Sequence, residues 1–188
     1  MRKLIYSINI AIDGCCDHTK MEAGEDIHQY FGQMMHEAGT LLYGRKTYEL
    51  MVPFWPDLAK SQDAPDKSVN DFARAFAKVK DIVVFSRTLK QADYPKTRIV
   101  SSGIKEEIQK LKREPGKDIL LGGVDFPMQV MELGLIDEYH FVVHPVVVGS
   151  GRRLTDGLDL PKSVKLKFLD SKILPSGSIA ARYSQSTT

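Results

Sequence analysis

The chain opens on a two-residue alternation. Across residues 3–12, Leu4, Tyr6, Ile8, Ile10 and Ile12 fall on one side and Ile5, Ser7, Asn9 and Ala11 on the other. Neither set is charged, the pattern of a central strand covered on both faces. Asp13-Gly14 predicts the turn that ends it. The period then lengthens. Ile27, Tyr30, Phe31, Met34, Met35 and Ala38 recur at helical spacing, and Gly39 is the stop signal. Residues 40–43 form a short strand, and Gly44-Arg45-Lys46-Thr47 a turn into a second helix over 48–51. The Pro- and Asp-rich stretch 53–66 predicts a loop. Val69, Phe72, Ala73, Phe76 and Ala77 mark a third helix.

The alternation of element types continues. Residues 81–85 predict a strand closed by Ser86-Arg87-Thr88, and 98–100 another closed by Ser101-Ser102-Gly103. Ile104, Ile108 and Leu111 mark a helix, 118–121 a strand closed by Gly122-Gly123, and 127–133 a helix stopped by Gly134. A long β-branched strand follows over 139–148, then two more over 164–169 and 178–183, with Pro175-Ser176-Gly177 turning between them. Strand and helix therefore alternate through two-thirds of the chain, and strands alone fill the rest. This predicts an α/β protein with a mostly parallel central sheet flanked by helices and antiparallel C-terminal strands.

Composition narrows the class. A chain of 188 residues, 43% hydrophobic and 27% charged, predicts one domain over 1–188 that buries its own core. A net charge of +2 is too small to make nucleic acid or an anionic membrane the expected partner. After Met1-Arg2-Lys3 no clean apolar run appears, because Ser7, Asn9 and Asp13 interrupt it, so no secretory signal and no membrane span are expected. Cys15 and Cys16 are adjacent and belong to no CxxC pair, which predicts neither an ordinary disulfide nor a metal site. The expected compartment is the reducing cytoplasm.

The chemistry concentrates in the strand-to-helix turns. Ligands of open α/β sheets bind outside the carboxyl ends of the strands. Helix N-termini there offer free N–H groups and a positive dipole end. Gly122-Gly123 lets backbone approach a pyrophosphate, although a tight turn without a ligand accounts for the pair as well. No GxGxxG is present. Arg45 and Arg87 stand at equivalent positions, each after a buried strand and before a helix, and suit phosphate oxygens. Paired cations beside a Gly-Gly cradle point to the extra 2′-phosphate of NADP over NAD.

These turns carry a family resemblance. Leu41-Leu42-Tyr43-Gly44-Arg45-Lys46-Thr47-Tyr48-Glu49 resembles the GR(K/H)TxE turn of dihydrofolate-reductase-like proteins. Ile82-Val83-Val84-Phe85-Ser86-Arg87-Thr88 and Ile119-Leu120-Leu121-Gly122-Gly123 resemble their next nucleotide-contacting strand and their pyrophosphate turn. Gly134-Leu135-Ile136-Asp137-Glu138 and the run from His144-Pro145 through Gly149-Ser150-Gly151-Arg152-Arg153-Leu154 are similar to the RibD C-terminal reductase of bacterial riboflavin biosynthesis. The resemblance spans about residues 3–184. It implies a dihydrofolate reductase-like sheet, NADPH as hydride donor and a homodimer. It also implies that Gly44, Arg45, Lys46 and Thr47 contact cofactor phosphates, that Ser86, Arg87 and Thr88 hold the 2′-phosphate side, that Gly122 and Gly123 take the pyrophosphate, and that Ala11 lines the nicotinamide.

The substrate half matches less closely. Ala11-Ile12-Asp13-Gly14 replaces the S-x-D-G motif of that branch, Thr155 stands where the family often has Phe, and no deaminase domain accompanies the reductase. The helix carboxylate that binds pterin in dihydrofolate reductases falls on His28. The acid or base candidates are Asp13, Asp26, His28 and Glu138. Asp13 leads because it ends the central strand, though an Asp-Gly turn explains it too, and Glu138 at a strand start also fits an ordinary solvated carboxylate. Trp55 in Pro53-Phe54-Trp55-Pro56 is placed to stack on a heterocycle or to anchor its loop. Arg152 and Arg153 suit a substrate phosphate or a solvated pair. The expected activity is NADPH-dependent reduction of a small heterocycle, with phosphoribosylaminouracil the nearest family substrate. The alternatives are a dihydrofolate or pterin reductase-like enzyme and a non-catalytic NADPH-binding module.

Overall fold

In the computed structural model, which describes residues 1–64, 66–158, 160 and 163–186, one eight-stranded sheet organises the chain. The strands are β1 (Leu4–Ala11), β2 (Ala38–Gly44), β3 (Asp81–Phe85), β4 (Thr97–Val100), β5 (Asp118–Leu121), β6 (Glu138–His144), β7 (Leu166–Ile173) and β8 (Ile179–Gln185). Their spatial order is β4-β3-β2-β5-β1-β6-β8-β7. Pairing is parallel from β4 through β6 and antiparallel where β8 joins β6 and β7. The expected fold class, a mostly parallel sheet with antiparallel C-terminal strands, is therefore the one observed.

Five helices, α1 (Glu25–Glu37), α2 (Arg45–Ser61), α3 (Lys67–Lys78), α4 (Ile104–Arg113) and α5 (Asp125–Glu132), flank the sheet. Alternate strand residues feed two cores. Leu41, Tyr43, Ile82, Val84 and Leu120 pack with Met35 of α1, Tyr48 and Val52 of α2, and Phe72 and Phe76 of α3. Leu42, Val83, Ile119 and Leu121 face the other way, onto Ile108 and Leu111 of α4 and Phe126 and Val130 of α5. Burying each such aliphatic side chain contributes roughly 1.5–3 kcal/mol, which is why the period-2 pattern fixes the register so firmly.

Two expectations are corrected. The loop expected over 53–66 is helix as far as Ser61, because α2 runs through Pro53 and Pro56; Pro65 lies outside the described residues. Each proline removes one helical hydrogen bond, which normally breaks the helix. Here Tyr48, Val52 and Pro56 form a buried stripe at four-residue spacing, and Trp55 packs on Phe72 at a ring distance of 4.4 Å. Tertiary packing thus outweighs the lost bonds. The second change is the long strand expected over 139–148. It stops at His144, where Pro145 has no N–H for the ladder, and Val146 turns to accept a hydrogen bond from Ile12 N.

At the edge formed by β8 and β7, α1 covers one face, with Ile27 and Tyr30 packed beside Ala180 of β8, and the face that carries Ile179 stays exposed. Every residue of β7 is exposed. Phe168, Ile173 and Ile179 leave apolar surface in solvent there, beside the partly buried Phe141 and Tyr183.

Candidate active site

β2 and β5 are neighbours, but the chain leaves them toward opposite faces, into α2 and α5. That divergence is the crevice where open α/β sheets bind ligands. A cavity of about 1510 Å³ opens there. Gly44, Arg45, Lys46 and Thr47 line it from the start of α2, Ser86, Arg87 and Thr88 from the end of β3, and Gly122 and Gly123 from the end of β5. Arg45, Lys46 and Thr47 are the first turn of α2 itself, so their free backbone N–H groups and the helix dipole both point at this space.

Close packing requires the glycines. A Cβ on Gly122 would lie 2.8 Å from Tyr43 Cε1, and one on Gly44 would lie 2.9 Å from Phe126 Cβ. Gly123 has φ +98°, and a Cβ there would collide with the hydroxyl of Thr47. The two helix N-termini therefore approach with only backbone between them, leaving a cradle that a phosphate fits. Tyr6 braces the cradle by donating its hydroxyl to Gly123 O at 3.0 Å. Burial pushes the Tyr6 phenol well above its ordinary range, so it stays a donor.

The cations differ in how far they are committed. Arg45 pairs with Glu49 at 2.9 Å, one helical turn on. Lys46 pairs with Asp125 at 3.3 Å, and Arg152 binds the same carboxylate. Arg87 is exposed and has no ion pair among the described residues. The Ser86 hydroxyl is used locally, accepting from the N–H groups of Thr88 and Leu89 at 3.2 and 2.9 Å. It shapes the turn that presents Arg87, and this turn leads into β4 and not into the helix expected after it, so Arg87 has no helix N-terminus of its own and is not equivalent to Arg45.

The rest of the cavity is walled differently. Phe31 and Met35 of α1, Met51 and Trp55 of α2 and Phe72 of α3 give an apolar, aromatic lining. His28 lies among them, its ring 6.3 Å from those of both Trp55 and Phe72. Its Nδ1 sits 3.0 Å from Gly24 O. A carbonyl only accepts, so Nδ1 carries a proton and Nε2 is the exchangeable position. Ser7 and Asn9 of β1 complete this wall. The Asn9 Oδ1 accepts from His144 Nε2 at 3.0 Å, which leaves the Asn9 amide N–H groups for a ligand.

Three of the expected site residues fall outside the lining. Ala11 is buried at the end of β1, and strand residues Ser7 to Asn9 line the cavity instead. Asp13 braces two loops: Oδ2 accepts from Gly149 N at 2.8 Å, and Arg153 approaches at 3.7 Å. The Gly149 hydrogen bond holds its carboxyl below the usual range, so it is a poor proton donor. Glu138 lies at the amino end of β6, away from the cavity, and is held by Lys3 at 2.5 Å, His140 at 3.2 Å and Arg182 at 3.3 Å. Of the four acid or base candidates only His28 lines the cavity. Arg152 lines it and Arg153 does not. Cys16 reaches the rim, and both cysteines are free. Ser7, Asn9, Met51 and Phe72 were not singled out from the sequence. Ser7 and Asn9 did carry a signal, as the polar members of an otherwise apolar strand.

Among the described residues no helix is long and apolar enough to cross a membrane, and no group of three or more His, Cys, Asp or Glu is placed to hold a metal. Comparison with known proteins agrees with the architecture. The chain is 31% identical over 186 residues to YyaP, an uncharacterized protein of Bacillus subtilis (strain 168), covering 97% of this chain and 94% of that one. A putative riboflavin biosynthesis protein from Shewanella sp. PV-4 superposes with a TM-score of 0.73 at 17% identity, over 98% of this chain and 99% of that one. A pyrimidine reductase-like protein from Corynebacterium diphtheriae gives 0.68 at 13% identity, over 100% and 93%. Acinetobacter baumannii RibD gives 0.66 at 18% identity, over 100% of this chain and 59% of that one. At these identities the structures share the fold. The RibD C-terminal domain model matches residues 2–180, and with it the chain belongs to the RibD C-terminal family, in the reductase class that joins riboflavin biosynthesis to the dihydrofolate reductase fold.

Proposed function

We propose that this protein is an NADPH-dependent reductase of a small, flat heterocyclic substrate. The observation that carries the reading is the pairing, in one cavity, of a Gly-Gly cradle between two helix N-termini with an aromatic wall that holds a histidine. Gly122, Gly123 and the first turn of α2 would hold the pyrophosphate, and Arg87 with Arg45 the 2′-phosphate. When bound, NADPH supplies a hydride, and reduction then needs one proton on the substrate. His28 supplies it from Nε2, because its other nitrogen is fixed by Gly24 O. Trp55 and Phe72 meet the imidazole edge to face and hold it in place. The free thiols suit a reducing compartment such as the cytoplasm.

Titration calorimetry with NADPH and NADH tests the cofactor. The wild type is expected to prefer NADPH, and Arg87→Ala to lose roughly 1.5–3 kcal/mol of that preference, the contribution of a charged hydrogen bond. Equal affinity for both cofactors in the wild type would remove NADPH from the proposal. We further propose that the chain pairs as a homodimer through the uncovered apolar face at Phe168, Ile173 and Ile179. Sedimentation is expected to show a dimer that Ile173→Lys dissociates, and a monomeric wild type refutes it.

A further inference from the structure

The two ends of the cavity differ in charge, and the difference bears on the substrate. This step rests on the cofactor reading above. Among the described residues, every charged side chain lining the cavity belongs to the first turn of α2, α4 or α5, to Arg87 in the loop from β3 to β4, or to Arg152. Arg152 is bound to Asp125 beside the cradle, not to the aromatic wall. On α2, Arg45 and Trp55 are ten residues apart, which at the rise of an α-helix places the phosphate end and the aromatic end roughly 15 Å from one another. A dinucleotide gripped at the first reaches the second.

At the aromatic end the described lining holds no Arg, Lys, Asp or Glu. Its polar groups are the Ser7 hydroxyl, the Asn9 amide and the His28 imidazole, and His18 and the Cys16 thiol also reach the cavity lining. Asn9 is the best defined of them. His144, beside it on β6, donates to its carbonyl oxygen, and this leaves the amide N–H as a donor with no partner among the described residues. Trp55 is fixed too, since its Nε1 donates to Met51 Sδ at 3.4 Å. Its ring is therefore not seeking a polar partner and presents an apolar face. A phosphate or carboxylate placed here would lose its water and meet no Arg or Lys. A flat ring with a carbonyl edge loses little, because the ring meets Trp55, Phe31 and Met51 while its oxygen meets the Asn9 N–H.

We propose that the substrate of this site is an uncharged, flat aromatic or heteroaromatic carbonyl compound without a phosphate tail, its oxygen read by Asn9 and its ring by Trp55. This departs from the phosphoribosylated pyrimidine of the family. Asn9 is assigned as the specificity-determining residue and His144 as the residue that positions it.

Trp55 is the only tryptophan in the chain, so its fluorescence reports this end alone. The probes are isatin, uncharged and flat with two carbonyls, and the phosphoribosylaminouracil, each titrated into the intact protein by calorimetry and by Trp55 emission, with NADPH titrated separately. Isatin is expected to shift Trp55 emission and to bind at least tenfold more tightly than the phosphorylated compound. Asn9→Leu should weaken isatin at least fivefold. Met51→Arg, which places a cation at the aromatic end, should weaken it tenfold and improve the phosphorylated compound, while NADPH affinity stays within twofold. The more exposed Leu50→Arg repeats the test if Met51→Arg lowers the melting temperature. The proposal is overturned if the phosphorylated compound binds more tightly, or if isatin leaves Trp55 emission unchanged while NADPH binds. Isatin binding without NADPH binding would overturn the cofactor reading, and with it the assignment of this ligand class as a substrate, while the ligand preference of the aromatic end would hold.

Discussion

Two sets of ionisable groups sit at opposite ends of the sheet, and they behave in opposite ways. At the amino end, Glu138 is buried and held by Lys3, His140 and Arg182, and Arg182 in turn binds Asp170 at 2.9 Å. Burial works to raise the Glu138 pKa, but the hydrogen bonds from Lys3, His140 and Arg182 overcome it and pull the value down to about 2. At the carboxyl end, Arg45, Lys46 and Arg152 are half to mostly exposed and loosely paired, and Arg87 is free among the described residues. A saturated, buried charge is part of the fold. An exposed charge with spare donors is available to a ligand. A strongly depressed carboxyl therefore marks the structural end here, and the cavity is marked by under-used cations.

The sharpest way to break this contrast is His28, the cavity group assigned chemistry rather than charge. His28→Gln keeps the ring's volume approximately and removes the exchangeable proton. The turnover number is expected to fall about 100-fold, the low end of general acid catalysis, with NADPH affinity within twofold. Unchanged turnover with the substrate identified above would return the proton to water and leave His28 a packing residue.

Glu138 should give the converse result, a stability effect with no effect on binding. Its folded pKa is depressed, so its contribution is present above the ordinary carboxyl value of 4.5 and is lost as pH falls from there through about 2. That gap corresponds to about 3 kcal/mol. His140 acts in the same direction: burial lowers its pKa, so acid that protonates the unfolded imidazole below its ordinary 6.5 also favours unfolding. Glu138→Gln is expected to lower stability at pH 7 by about 3 kcal/mol, to flatten the acid limb of urea unfolding between about pH 5 and 2, and to leave NADPH affinity unchanged. A loss of cofactor affinity with stability intact would reverse the assignment of the two ends.

The same contrast explains what was legible from sequence. All eight strands and the cradle turns are local signals, since a β-branched run ending in Gly-Gly or Ser-Arg-Thr is read from adjacent residues. The aromatic wall is assembled from β1, α1, α2 and α3, whose side chains meet only through the crossovers, so no short window contains it. The prolines of α2 concealed part of that wall, because the stripe Tyr48–Val52–Pro56 overrides a helix-breaking signal only once α3 packs against it. Asp13 and Glu138 attracted attention as carboxylates at strand ends. Their partners, Gly149 and Arg182, are more than 40 residues away in sequence, and those partners are what make the two residues structural.

Asp125 offers the smallest and most discriminating test, because among the described residues it is the one anion at the phosphate end that binds two of its cations. It stands in the first turn of α5, just past Gly123, where the helix dipole favours a negative charge. Its carboxylate is 45% exposed and holds both Lys46 and Arg152. Such exposed pairs contribute roughly 0–1 kcal/mol, so Asp125→Asn should barely alter stability. For a pyrophosphate in the cradle the change removes a like charge and releases two cations. NADPH is therefore expected to bind about two- to fivefold more tightly to Asp125→Asn, with the gain shrinking as salt screens it. Weaker binding would show that Asp125 positions Lys46 and Arg152 for the ligand instead of competing with it, and the carboxyl end would then share part of the saturated character of the Glu138 cluster.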